Sequence, residues 1–309
     1  MDLETHDQAY FLPPVPSSEL MPALRDDVLT LASLLGERNL ADPIRRDVLE
    51  QTADFLVDSL RAAGLQLRHQ RFPVGGIWVE NIEAELIGNQ FPEEIVVIGA
   101  HYDSARGSPG ANDNASGVAG LLALARAFAG RAELVGRTLR LVAFVNEEAP
   151  YTYTPHMGSL VYARRCRARH EQIAAMLSLE AIGSFTRERH PGGPGAHGLP
   201  WWPADAVAVV ANLASRSLAT RVAAGISRSS AAQATPVVLP GVLSDAKSSD
   251  HWPFWTQAYP AVMVTDAGPL RARHFHPSSD TPANVDYPRL TEVVSGLEGA
   301  VLSLVGMRP

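Results

Sequence analysis

A single cysteine, Cys166, stands in the 309 residues. One thiol forms no intramolecular disulfide and no Cys-rich zinc knuckle, so a metal in this chain must be held by His, Asp and Glu. Cys166 itself lies in the Arg-rich stretch Arg164–Arg169 and reads as an inert thiol. Long runs of one charge are also missing. Lys and Arg number 26 against 33 Asp and Glu, the net charge is −7 and the isoelectric point is about 5.8. That balance, without a basic tract, argues against nucleic acid or an anionic membrane surface as the main partner. No window approaches the roughly 18 apolar residues of a spanning helix. The longest apolar stretch, Gly117–Leu124, is rich in small residues and is soon broken by Arg126. The start, from Met1 to Asp7, is acidic and polar, the opposite of a basic segment followed by an apolar one. The expected location is therefore cytoplasmic for the chain as written, or secreted or periplasmic where a leader upstream of Met1 has been removed.

What is present is an ordinary globular composition, 46% hydrophobic and 19% charged, which excludes wholesale disorder. Two helices open the chain. One runs from Ser18 to a stop at Gly36, and the next is capped by Asp42, has Pro43 at its first position and ends at Gly64. The apolar stripe of the second is Ile44, Val48, Leu49, Phe55, Leu56 and Leu60. The segments Leu65–Phe72 and Trp78–Leu86, joined through Pro73-Val74-Gly75-Gly76, predict an antiparallel pair. Beyond them the pattern becomes continuous apolar runs: Ile95–Ile98, Leu139–Val145, Met176–Leu179, Val237–Leu239 and Ala261–Val264. Helices follow at Ser116–Phe128, Met157–His170 and Leu290–Val305. Continuous apolar strands alternating with helices indicate strands covered on both faces. The expected fold is a three-layer α/β/α sandwich with a central mixed, mostly parallel sheet. No internal repeat or change of composition divides the chain. A Gly/Pro-rich excursion at Ser184–Ala204, with Trp201-Trp202-Pro203, reads as a long functional loop or an insertion.

Ligands of open α/β sheets bind beyond the carboxyl ends of the strands. Three consecutive strands here end in His or carboxylate groups: His101-Tyr102-Asp103, then Asn146-Glu147-Glu148, then Glu180. Asp113, in Gly110-Ala111-Asn112-Asp113-Asn114-Ala115-Ser116-Gly117, and His276, with His274 as its rival, supply similar groups. Two histidines and three carboxylates suit zinc or a related divalent ion, and exceed the three protein ligands of one catalytic zinc. They would suffice for two ions if one carboxylate bridges. Adjacent Glu147 and Glu148 can divide the work, one on metal and one on water. His251 reads as pocket structure, and His156, His170, His190 and His197 as solvated. Asn114-Ala115-Ser116 formally matches a glycan acceptor but reads as a turn and helix cap. Tyr151, Tyr153, Trp252, Phe254, Trp255 and Phe275 cluster around the chemical motifs, as core or as walls of a side-chain pocket.

On these motifs the chain resembles the co-catalytic zinc aminopeptidases of the M28 clan of metallopeptidases, which also contains glutaminyl cyclases. The matching residues are His101-Tyr102-Asp103-Ser104, Ala111 to Gly117, Asn146-Glu147-Glu148, Leu179-Glu180-Ala181-Ile182-Gly183, Ser249-Asp250-His251 and His276-Pro277-Ser278-Ser279-Asp280-Thr281. Their order and spacing agree from about Asn39 to the C-terminus, which sets 39–309 apart as one zinc-peptidase catalytic domain behind an N-terminal helical extension, 1–38. The resemblance implies that Asp113 bridges two zinc ions, that His101 and Glu180 complete one, and that Glu148 and His276 complete the other. It implies Glu147 as general base and Asp103 as the group that orients the His101 imidazole from behind. The Glu180 position is often Asp in the better-known aminopeptidases. The implied substrates are peptides with a free N-terminus. A single-zinc cyclase-like acyltransferase, or a carboxypeptidase or deacylase of the same clan, is the alternative.

Overall fold

The computed structural model describes residues 17–185, 206–243, 245–266 and 278–306. Eight strands form one sheet: β1 Leu67–Val74, β2 Ile77–Leu86, β3 Phe91–His101, β4 Arg137–Phe144, β5 Gln172–Glu180, β6 Val207–Ala211, β7 Ala234–Val238 and β8 Ala261–Thr265. Their order is β1-β2-β4-β3-β5-β8-β6-β7. β4, β3, β5 and β8 run parallel at the centre, β1 and β2 form an antiparallel hairpin at one edge, and β6 turns antiparallel to β8 at the other. The expected mixed, mostly parallel sheet is the one observed.

The helices are α1 Ser17–Leu29, α2 Arg46–Ala62, α3 Gly117–Ala129, α4 Gly158–Ala168, α5 Arg216–Ser229, α6 His251–Thr256 and α7 Tyr287–Val305. Helices α1, α2, α3, α5 and α7 cover one face of the sheet around Leu24, Leu56, Leu121, Ile226 and Leu297. Helices α4 and α6 cover the other, with Tyr162, Cys166 and Phe254 packed on Val97, Val142 and Met176. Helix α3 is buried on nearly every side because it lies between sheet and outer helices, which explains its apolar, small-residue sequence. Residues Leu20, Leu24, Val28 and Leu31 of the N-terminal segment pack in the same cluster as the sheet-covering helices.

Local signals in the sequence operate as physics requires. The Asp42 carboxylate accepts the Ile44 N–H at 2.9 Å, capping the turn that starts α2. Ile44, however, is 79% exposed; it belongs to that opening turn and not to the apolar stripe. Gly75 and Gly76 both have positive φ, 57° and 83°, as a two-residue hairpin turn demands. Proline falls on the two edge strands, Pro73 in β1 and Pro236 in β7, and at the second residue of central β3, Pro92, before its regular pairing begins, all places where a missing N–H costs little. Strand β6 and helix α5 were not legible: β6 is a short Ala/Val run, and α5 is bounded by serines with no Gly or Pro stop. Most of the Ser184–Ala204 excursion lies outside the described residues.

Close approach at the start of α3 fixes that helix against β5. A Cβ at Gly117 would stand 2.6 Å from the Leu179 carbonyl oxygen and 2.2 Å from Asn114 Oδ1. Gly117→Ala is expected to cost about 1–3 kcal/mol in urea unfolding, the usual range for overpacking. A variant as stable as the parent would contradict this contact.

Candidate metal centre

The site sits at the carboxyl ends of the central parallel strands. His101 closes β3 and pairs in register with Phe144, the last residue of β4; Glu180 closes β5 opposite Thr265 of β8. Glu147 and Glu148 follow β4 after Asn146, a non-glycine residue at φ 60°. Asp113 lies in the loop that enters α3, next to a cis peptide bond with Asn114. The fold brings these five residues together around His101, and all are buried. His276 and His274 lie outside the described residues.

His101 Nδ1 donates to the main-chain oxygen of Asp103 at 3.1 Å, since a carbonyl can only accept. In its neutral form the ring then turns a lone pair outward on Nε2, a buried atom that makes no hydrogen bond. Asp113 Oδ1 and Glu180 Oε2 each stand 3.3 Å from Nε2. Ligand atoms about 2.0–2.2 Å from one tetrahedral zinc stand about 3.3–3.6 Å from one another, so these three residues fit a shared ion. Glu147 Oε2, at 3.9 Å from Nε2, lies outside that spacing. Glu148 groups with His101 and Glu147 as a second candidate set.

Each of these groups is held from behind. The Asp103 carboxylate stands 3.6 Å from His101 Nδ1, while its two oxygens accept the N–H groups of Glu147 and Glu148, both at 3.1 Å. Asp103 thus orients the imidazole with its own backbone and the glutamate pair with its side chain. Ser249 donates to Glu180 Oε2 at 2.7 Å. Asp280 accepts the N–H groups of Asn112 and Asp113 at 2.8 and 3.0 Å. Asn114 Oδ1 accepts the Gly117 and Ala181 N–H groups, which makes Asn114 a cap, buried away from any glycan chemistry. His251 Nε2 lies 2.7 Å from the Ala246 oxygen, its ring packs edge-on against Trp255, and burial lowers its pKa to about 4.

Two holding residues escaped the sequence reading. Arg38 is fully buried, and its guanidinium donates to the carbonyls of Tyr102, Pro109 and Gly110, at 2.8, 2.6 and 2.9 Å. It ties the segment after α1 to the loop that delivers Asp103 and Asp113, and no sequence signal marks it. Asp266 accepts from Asn112 Nδ2 at 2.9 Å and from the Ser184 N–H at 2.6 Å. The strand-end rule that found Glu180 also applies to Asp266, which directly follows β8.

Burial raises the carboxyl groups. Desolvation, then the Asp113 charge, moves Glu180 to about 7. Desolvation likewise moves Asp250 to about 6, and Glu147 and Glu148 well above the usual range. His101 goes the other way: burial pulls it down, but Glu180, Asp103 and Asp113 outweigh burial and hold it well above its ordinary value. An ion at this centre would supply the positive charge that these carboxylates lack.

Residues 81–299 match the profile of Peptidase family M28. The chain is 31% identical over 303 residues to YfbL of Escherichia coli (strain K12), covering 93% of this chain and 89% of that protein. It is 28% identical over 243 residues to a probable zinc metalloprotease of Leptosphaeria maculans, covering 72% of this chain and 54% of that longer protein. The fold is similar to that of BSAP, a zinc aminopeptidase from Bacillus subtilis, with a TM-score of 0.72 at 14% identity over 93% of this chain and 95% of that one. The chain belongs to peptidase family M28, a family of zinc-dependent metallopeptidases.

A raised carboxyl pKa favours the folded state only while the group stays protonated. In chelator, the stability that Glu180 contributes is complete below pH 4.5 and is lost as pH rises through about 7. Thermal melting of the metal-free chain is therefore expected to fall across that window, with a smaller fall in Glu180→Gln. Asp280→Asn is expected to weaken zinc binding by about 10–100-fold, the usual effect of losing a group that orients a ligand. Competition with a chromophoric chelator reads that affinity, and an unchanged value would contradict the role given to Asp280.

Proposed function

We propose that this peptidase is an aminopeptidase, hydrolysing the N-terminal peptide bond of peptides with a two-zinc centre. His101, Asp113 and Glu180 would hold one ion. Asp113, Glu148 and His276 would hold the other. Zinc bound there supplies Lewis acidity to the scissile carbonyl and lowers the pKa of the attacking water.

The observation that carries the reading is the place of Glu147. Its carboxylate stands beside the His101, Asp113 and Glu180 set but 3.9 Å from His101 Nε2, farther than the two 3.3 Å oxygens, with its backbone pinned by Asp103. Burial and the neighbouring carboxylates raise its proton affinity, which suits a general base that must accept a proton near neutral pH and pass it on. Glu147 takes the proton of the attacking water and delivers it to the nitrogen of the leaving amine. Thr152 donates to the Glu147 carbonyl from its hydroxyl, so the turn after the glutamate pair holds the base from its other side. The acidic surroundings of Asp113, Glu148, Glu180 and Asp250 favour a substrate with a cationic α-amine.

Elemental analysis is expected to give two zinc ions per chain. Glu147→Gln is expected to retain the metal and to lose kcat on aminoacyl-anilides by about 10²–10⁴-fold, the range for removing a general base. One ion, no anilide cleavage and cyclisation of glutaminyl peptides would replace this reading with an acyltransferase.

A further inference from the structure

Of the 26 Lys and Arg residues one is a lysine, Lys247. It ends the short helical turn Asp245–Lys247, two residues before Ser249, whose hydroxyl touches Glu180. The Ser249 N–H donates to the Lys247 carbonyl at 2.9 Å. From the opposite side the Tyr153 hydroxyl donates to the same carbonyl at 3.2 Å, and the Lys247 ammonium lies 5.9 Å from the centre of the Tyr153 ring. Tyr153 in turn packs edge-to-face on Trp252, with ring centres 4.9 Å apart. Its segment starts beside the base: the N–H groups of Tyr151 and Thr152 both donate to the carbonyl of Glu148, the residue after Glu147, and the Thr152 hydroxyl donates to that of Glu147. The segment that carries Glu147 and the segment that touches Glu180 therefore close on each other at Lys247.

Lys247 is half-buried, and among the described residues no carboxylate pairs with its ammonium. An aromatic face beneath and a fixed carbonyl hold such a side chain without neutralising it. Two residues of extended chain span at most about 7 Å, so the Lys247 backbone lies within that distance of the residue that contacts Glu180, and its long side chain starts from there. The carboxylate cluster and the ammonium sit on adjoining segments and differ in sign, one suited to an α-amine and one to a carboxylate.

We propose that Lys247 binds a carboxylate of the substrate on the leaving-group side of the cleaved bond, so that the enzyme favours peptides carrying one there. The inference rests on the aminopeptidase reading and names its substrate class. The carboxylate comes either from the C-terminus of a very short peptide or from an acidic side chain next to the cleaved bond.

The test compares three peptides that share the N-terminal residue best released from an anilide panel, followed by Ala with a free carboxylate, by Ala-amide or by Asp-amide. Wild-type enzyme is expected to favour the free acid over the Ala-amide, if the chain terminus is read, or the Asp-amide over the Ala-amide, if a side chain is read. The expected preference is about tenfold in kcat/KM, carried by KM, and weaker at high salt. In Lys247→Met the ratio falls toward one, and in Lys247→Arg it is regained. Calorimetry of the same peptides with zinc-loaded Glu147→Gln is expected to show the same order in Kd. Equal rates on all three peptides by the wild type, or a ratio intact in Lys247→Met, would overturn the assignment while leaving the aminopeptidase reading in place. Zinc-loaded enzyme that cleaves neither the anilides nor any of the peptides would overturn both.

Discussion

The constraint on which this molecule turns is the cost of gathering negative charge out of water. Asp103, Asp113, Glu147, Glu148, Glu180 and Asp250 are all buried around one histidine, and taking a single carboxylate out of water costs several kcal/mol. Arg38 stands nearby, but its guanidinium is spent on carbonyl oxygens, and burial lowers its pKa to about 10. Raised carboxyl pKa values relieve part of the strain in the absence of metal; a divalent cation relieves it with the carboxylates ionised. The same burial that makes the cluster costly alone would favour a divalent cation among its oxygens.

The scaffold exists to hold that arrangement still. Four parallel strands end together, so His101, Glu180 and the glutamate pair after β4 arrive at one edge without any long loop. Hydrogen bonds then fix each arrival. Asp103 grips the backbone of both glutamates, Asp280 grips the backbone of Asp113, and Asn114 joins the start of α3 to the residue after Glu180. Small residues permit the approach: Gly117 against the Leu179 carbonyl, and Gly99 against the Phe144 ring, where a Cβ would stand 2.3 Å from a ring carbon. Two carboxylate oxygens each 3.3 Å from His101 Nε2 need this degree of control, because a shift of a few tenths of an ångström would change which oxygen could reach an ion.

Much of this was legible in the residues. Strand-end positions pointed to His101, Glu148 and Glu180, and the capping signal at Asp42 and the glycines of the first hairpin were read from local chemistry alone. What escaped depends on contacts distant in sequence. Arg38 binds carbonyls more than 60 residues away, and nothing in Gly36-Glu37-Arg38 announces it. Asp103 was expected behind His101, yet its carboxylate serves the glutamates 44 and 45 residues on, a division of labour that only the folded backbone reveals. Asp266 was within reach of the strand-end rule and was passed over. Strand β6 and helix α5 lacked both length and punctuation, so their identity comes from packing against β8 and α7.

The chemistry proposed for this chain needs an ion held by His101, Asp113 and Glu180. Anomalous diffraction on zinc-soaked crystals, recorded on both sides of the zinc absorption edge, addresses it directly. The account predicts an anomalous peak within bonding distance of His101 Nε2, shared by the carboxylates of Asp113 and Glu180, with Glu147 beside it and unbound. A zinc-loaded protein whose peaks all lie away from His101 Nε2 would contradict it.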